Sequence, residues 1–344
     1  MDARLRYSRE ELLESHEYAR PHEEAGRRLH GGFLADGSYC SPRTKVRWPA
    51  VRAWQASLQA RGWPIIDADG ELLKRGAYPN EAQQKLLLGE GFGRTMWNSL
   101  SITGIIEARG RALCTLPAPD MQRLVVEDVA ESAVGHLGGG LLFAHGADEG
   151  GDPAAPGLGA HDAMWFAARD LVFGKGAYPV PVPPDSISRP DEGRLMPDIA
   201  EPFENLIRML MNVLMIEVRA ESGFAFNIRV FRDPDNFQDR RAEAELAATL
   251  VERIRADEAI HVAYLATTIS ELRSFTLKRA GGGTIAGTEV IDPVWAKMVD
   301  WHGREERLLA AARTRQTIEA QLLEDRGEAA LPLLARFDAL ADPA

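Results

Sequence analysis

The sequence predicts an all-α protein organised around a four-helix bundle. Four long stretches carry apolar residues at helical spacing, and a connection rich in Gly and Pro, from Gly146 to about Pro197, separates the second from the third. Few apolar runs alternate with the period of two that a sheet needs, and no repeat at solenoid periods is present. A bundle whose second and third helices are joined by a long crossover satisfies all three observations.

The elements follow in order. Residues 8–30 read as a short polar helix, closed by Gly31-Gly32 and a loop through Ser41-Pro42, after which Pro49 sits in the first turn of a helix bearing Trp54. Arg43, Lys45, Arg47 and Arg52, beside Trp48 and Trp54, read as a solvated and partly packed helix face. The first bundle helix starts near Pro79-Asn80 and runs to Cys114, where Pro117 and Pro119 forbid continuation. Asp120 caps the second, which carries Leu124, Val125, Ala130, Val134 and Leu137 and ends near His145. Within the crossover, the amphipathic segment around His161 to Phe173 is expected to lid a site. The third helix spans Glu201 to Phe231 with Leu206, Leu210, Val213, Leu214, Phe224 and Ile228 inward, and the fourth runs from Asp239 to Lys278, before Gly281-Gly282-Gly283. This gives an N-terminal wrapper (1–78), a bundle (79–280) and peripheral C-terminal helices (281–344).

Composition narrows the function. With 40 Lys and Arg against 51 Asp and Glu, the chain carries −11, a field that repels nucleic acid and anionic membranes. Small molecules or proteins are the expected partners. The 2 cysteines, Cys40 and Cys114, make neither a disulfide framework nor a CxxC knuckle, and a reduced cytoplasm is the expected compartment. No export-type N-terminal segment and no run of about 18 apolar residues is present, so no membrane association is expected.

The sharpest local signal is Arg255-Ala256-Asp257-Glu258-Ala259-Ile260-His261 in the fourth helix. Glu258 and His261, three apart, project from one face and can reach one metal ion, and they lie among Leu250, Val251, Ile254, Val262 and Leu265. A carboxylate buried in such company is costly unless paired or metal-bound. In the third helix, Glu217 and Glu221 interrupt an apolar stripe, and an antiparallel hairpin about Asn236 sets Glu217 opposite Glu258. Glu221 is the alternate ligand or an acceptor that orients His261. The second helix offers Glu131 and His136, with Glu127 and Asp128 one turn earlier. Glu131 and His136 are five apart and share a site only if a π-type bulge intervenes, which Gly135 would tolerate. His136 is otherwise a core histidine. The first helix offers Glu107, or Glu90 as a weaker choice, although Glu107 could pair with Arg111 instead.

These residues resemble the ferritin-like di-iron carboxylate superfamily, in particular the oxygen-activating branch that includes ribonucleotide reductase small subunits and bacterial di-iron monooxygenases. Arg255 to His261 is similar to that branch's fourth-helix signature, and Ser222-Gly223-Phe224-Ala225-Phe226 to its third helix. The resemblance covers roughly residues 80–278. It implies a ferritin-like bundle and a metal site made of Glu107, Glu131, His136, Glu217 or Glu221, Glu258 and His261. It also implies two iron ions, or an iron and a manganese, that activate dioxygen to oxidise a small organic substrate. The five-residue spacing in the second helix departs from the pattern, and no tyrosine follows His136 where a reductase radical is expected. Tyr264 reads as a packed core residue. The reading leaves room for an electron-donor protein and for a homodimer.

Two other functions fit the same fold: iron binding with peroxide detoxification, and a metal-free binding scaffold. Gly89-Glu90-Gly91-Phe92-Gly93 follows no strand and precedes no phosphate-loop lysine, and reads as a helix irregularity.

Overall fold

The computed structural model describes residues 5–68, 77–190 and 193–341. The chain is mostly helical with two small sheets. Its axis is a hairpin of two long helices, α8 (Glu201–Arg232) and α9 (Arg241–Ser274). Pro202 in the first turn starts α8, acids Glu201 and Glu204 lie at its N-terminus, and Arg229 and Arg232 at its C-terminus, all matched to the helix dipole. The third and fourth bundle helices are thus close to their expected bounds.

Ahead of the hairpin lie α1 (Arg9–Leu12), α2 (Arg47–Ala60), α3 (Glu81–Gly89), α4 (Arg94–Gly110), α5 (Ala133–His136), α6 (Leu142–Gly150) and α7 (His161–Phe173). Behind it follow α10 (Gly287–Asp300), α11 (Glu306–Arg326) and α12 (Leu331–Ala339). Several sequence expectations need correction. The polar helix over 8–30 shrinks to α1, after which the chain forms an antiparallel hairpin, β1 (Arg20–Glu24) and β2 (Arg27–Phe33), with β3 (Tyr39–Cys40) beside β2. The cause is local: Ala25 and Gly26 both take positive φ, 51° and 71°, the two-residue turn that suits strand twist. A second pair, β4 (Thr276–Lys278) and β5 (Thr284–Ala286), ends α9 earlier than expected.

The first bundle helix is two helices, α3 and α4, broken at Gly91, whose φ is 76°. The second does not begin at Asp120, which caps only a single 3-10 turn. Helix starts at Ser132, whose side chain caps α5, and passes through a π-helical turn, Leu137–Leu141, into α6. The stretch expected as a lid is α7, a core helix that packs on α4 and α9 with Met164, Trp165, Ala167, Ala168 and Val172 buried. Irregular chain therefore flanks α7 on both sides, over 151–160 and over the described residues of 174–200.

Two apolar layers divide the hairpin. Leu206, Leu210, Leu214 and Val218 of α8 join Tyr264, Leu265, Ile269 and Leu272 of α9 in one. Phe224, Ile228 and Phe231 of α8 join Ala247, Leu250, Val251 and Ile254 of α9 in the other, with Leu100 and Trp165. Glu217, Asp257, Glu258 and His261 fall between the layers, all buried. A separate small core holds α3, α11 and α12 together through Leu87, Ile318, Leu322 and Phe337. Among the described residues no helix is long and apolar enough to cross a membrane.

Close backbone approach sets α6 against the end of α4. A Cβ on Gly146 would lie 2.7 Å from the Cys114 nitrogen and 3.0 Å from the Gly110 carbonyl, and one on Gly150 would lie 2.6 Å from the Ala108 carbonyl. These are backbone atoms and cannot swing aside. Gly146→Ala is therefore expected to cost about 1–3 kcal/mol by overpacking, read from denaturant unfolding. An unchanged midpoint would show that α6 can shift freely.

Glu271 of α9 accepts the Ala133 and Val134 N–H groups at 3.1 and 2.9 Å, closing the N-terminus of α5. Burial pushes its carboxyl up to about 7. The folded state then keeps a proton that the unfolded chain releases near 4.3, so this group's contribution falls as pH rises from about 4.3 to about 7. In Glu271→Gln that loss is absent. Stability measured across the window should gain on wild type by roughly 3 kcal/mol from its acid to its neutral end; parallel curves would refute the assignment.

Candidate metal centre

Five helices deliver seven buried side chains to the space between the apolar layers: Glu107 from α4, His145 and Glu149 from α6, His161 from α7, Glu217 from α8, and Glu258 and His261 from α9. His145 and Glu149 are four apart, and Glu258 and His261 three apart, so each pair shares a helix face. Two groups of ligand-type atoms form, His145, Glu149, Glu217, His261 and Glu107, Glu149, His161, Glu258, with atoms in each within 4.8 Å of one another. Glu149 belongs to both.

The geometry converges on one carboxylate oxygen. Glu149 Oε1 lies 3.3 Å from His261 Nδ1, 3.4 Å from His161 Nδ1 and 3.6 Å from His145 Nε2. Glu258 faces His161 Nδ1 at 2.9 Å through one oxygen and His261 Nδ1 at 2.6 Å through the other, while Glu217 faces His145 Nε2 at 3.0 Å. The His145 and His261 rings stack at 3.9 Å, 11° from parallel. Despite this crowding, Glu149 Oε1, Glu107 Oε2 and His161 Nδ1 have no hydrogen-bond partner. Buried polar atoms of native proteins are nearly always satisfied, and several orphans aimed at one another are what a shared cation would satisfy.

Each imidazole is held from behind. His261 Nε2 reaches Asp148 at 3.1 Å, His161 Nε2 reaches Asp257 at 3.3 Å, and His145 Nδ1 meets the Tyr264 hydroxyl at 2.8 Å. Because an ionised carboxylate only accepts, Nε2 of His161 and His261 carries a proton, so a ring that gave up its second proton to bind a metal would present the Nδ1 lone pair to the cluster. This carboxylate–histidine arrangement is the one that fixes metal-ligating imidazoles. The backing acids are themselves held: Asp148 by Arg43 (Nε, 2.9 Å) and Arg47 (Nη2, 2.7 Å), and Asp257 by His30 (3.0 Å) and the Tyr39 hydroxyl (2.9 Å). The hairpin and α2 thus reach in to form the outer shell.

Burial, reinforced by the Glu149 and Glu258 charges respectively, pushes the Glu107 and Glu217 carboxyls well above the usual range. Burial would raise Glu258 too, but the His161 and His261 rings hold it well below. Against the opposing pull of burial, the Glu258 charge lifts both of those imidazoles well above their ordinary value, while burial and His261 push His145 well below. Burial raises and the two guanidiniums lower Asp148, which ends well below its usual range. These shifts favour the protonated form at Glu107, Glu217, His161 and His261.

Of the residues singled out from the sequence, Glu107, Glu217, Glu258 and His261 come together here. Glu131, His136 and Glu221 do not. Glu131 is exposed and pairs with Arg6 at 3.3 Å. His136 is buried but spends both nitrogens elsewhere, Nδ1 on the Ser132 carbonyl at 2.7 Å and Nε2 on the Tyr7 N–H at 3.2 Å, with its ring 4.9 Å from Trp54. Glu221 is turned outward to Arg255 at 2.7 Å. The π-helical turn exists, but it follows His136 and so cannot bring Glu131 and His136 onto one face. Glu90 pairs with Arg336, Glu127 accepts the Thr276 N–H, and Asp128 accepts the Ala130 N–H. His145, Glu149 and His161 were not singled out. The signal for the first two is the spacing in His145-Gly146-Ala147-Asp148-Glu149, obscured by the glycines that suggested a helix end.

No protein-family model, curated protein or solved structure matches this chain.

Asp148 gives a direct test of the outer shell. Asp148→Asn leaves two buried guanidiniums against a neutral amide and is expected to cost about 3–5 kcal/mol in chemical denaturation, the usual effect of breaking a buried charge pair. A loss under about 1 kcal/mol would show that Arg43 and Arg47 find other partners.

Proposed function

We infer that this chain is a di-metal carboxylate protein of ferritin-like bundle type, a non-haem di-iron oxidase or oxygenase that activates dioxygen to oxidise a small organic substrate. The observation that supports it is the pair of buried four-residue groups that share Glu149. Glu107, Glu149, His161 and Glu258 would hold one ion, and His145, Glu149, Glu217 and His261 the other. Four carboxylates with three neutral imidazoles balance two divalent ions in charge, and a set of oxygen and imidazole nitrogen without thiolate suits iron, or iron with manganese. Bound iron would supply the redox chemistry that dioxygen activation requires.

The chain's own residues have definable tasks. Asp148, Asp257 and Tyr264 fix the three rings so that one nitrogen of each faces the cluster. The apolar layers on either side exclude bulk water and strengthen every electrostatic contact within. Glu107 and Glu217, whose carboxyls burial pushes well above the usual range, are the groups placed to give up protons as cations enter, because metal ligands must be deprotonated. Iron binding with peroxide detoxification would use the same residues without an organic substrate, and a scaffold without metal would use none of them.

Metal analysis of protein from iron-supplemented cells tests this reading. About two ions per chain are expected in wild type, and in Glu258→Ala/His261→Ala the content should fall below about one while the helical signal persists. Oxygen uptake that depends on an added substrate then separates an oxygenase from a storage protein. A folded wild type without metal would leave the scaffold reading.

A further inference from the structure

The seven candidate ligands are not equally enclosed. His145, His161 and His261 are 0–1% exposed, whereas Glu107, Glu149 and Glu217 retain 7–8%. The centre therefore opens on its carboxylate side. The helices that carry Glu107 and Glu217 are α4 and α8, and these two do not form a packed pair: α4 packs on α6 and α7, and α8 on α9, α10 and α3. Facing directions agree. On α4, Gly104 turns to Phe166 of α7, which leaves Thr103 and Ile106 on the other flank of Glu107. On α8, Glu221 turns to Arg255 of α9, which leaves Val213, Ile216 and Ala220 on the other flank of Glu217. All five of these side chains are half-buried, and Ile106 and Ile216 belong to neither of the apolar layers.

The segment 184–189 is tied to both walls. Arg109 of α4 donates to the Pro184 carbonyl at 2.7 Å, and the Arg189 N–H donates to Asn212 Oδ1 of α8 at 2.8 Å. Arg109 stands two residues beyond Glu107, and Asn212 five before Glu217.

We propose that α4 and α8, strapped by 184–189, leave a cleft between them, that this cleft is the substrate site, and that it takes a small, neutral, mainly aliphatic molecule. This rests on the di-metal reading for its chemistry but not for its shape. The walls offer methyl and methylene groups. Three nearby guanidiniums are already engaged, Arg109 on the strap's carbonyls, Arg255 on Glu221 and Arg169 on Asp170. An anionic ligand would be stripped of water among isoleucines with those guanidiniums committed elsewhere, and an ammonium group would be stripped likewise, so a neutral ligand costs least.

The test titrates n-octanol, octanoate and octylamine into the purified full-length chain, with metal content measured on the same samples. One n-octanol site per chain is expected, bound roughly tenfold tighter than either charged analogue. Ile216→Trp, and separately Thr103→Trp from the opposite wall, should each weaken n-octanol by about tenfold or more while metal content stays at the wild-type value. Absence of n-octanol binding, tighter binding of a charged analogue, or unchanged binding in both filled variants would overturn the proposal. Failure of the di-metal reading would appear separately, as absent metal, and the titration would still decide the cleft.

Discussion

Four carboxylates in one helical interior are the constraint on which the rest of this structure depends. An isolated ionised carboxylate away from water is among the most expensive groups a fold can bury, and Glu107, Glu149, Glu217 and Glu258 lie together around three imidazoles. Their presence demands positive charge, and the surroundings are arranged around that demand. Arginines 43 and 47 are committed to Asp148 rather than to the inner acids. Had either paired with Glu149 directly, the inner cluster would be a closed salt bridge with no call for a cation. The outer acids absorb the arginines and leave the inner ones uncompensated.

This layering also explains why α8 and α9 are so long. Each must anchor an apolar layer on both sides of the polar level, since one layer alone would leave the cluster at an end of the hairpin and open to water. Leu214 and Val218 on one side and Phe224 and Ile228 on the other keep Glu217 inside. The same logic holds on α9, with Ile254 before and Tyr264 after the ligand turn.

Legibility from sequence followed the strength of local periodicity. The hairpin helices were readable because dozens of residues repeat one apolar stripe, and within them Glu217, Glu258 and His261 stand out as charges on the wrong face. The second leg of the site was not readable. It is assembled from a capped turn, a π-helical turn and two short helices on either side of a loop, so neither its phase nor its bounds can be extrapolated from the sequence before it. His136 illustrates the cost: a histidine on an apolar stretch looks like a ligand until Ser132 and Tyr7 are seen to occupy both nitrogens. The strands failed for a different reason, since β1 and β2 carry few apolar residues and owe their shape to a turn and to burial against α9.

The outer shell has a consequence for the order in which the molecule can be made. His30 and Tyr39 reach Asp257 across 227 and 218 residues of chain, and Arg43 reaches Asp148 across 105. Contacts of such separation form late, after the long intervening loop has been closed. During synthesis these N-terminal segments precede their partners: Arg43 and Arg47 wait for Asp148 of α6, and His30 and Tyr39 wait until α9 has left the ribosome. The candidate centre is therefore a late product of biogenesis, sealed when the segment that carries His30 and Tyr39 folds back onto α9, and any cation it holds must be captured around that moment or admitted afterwards through the finished shell.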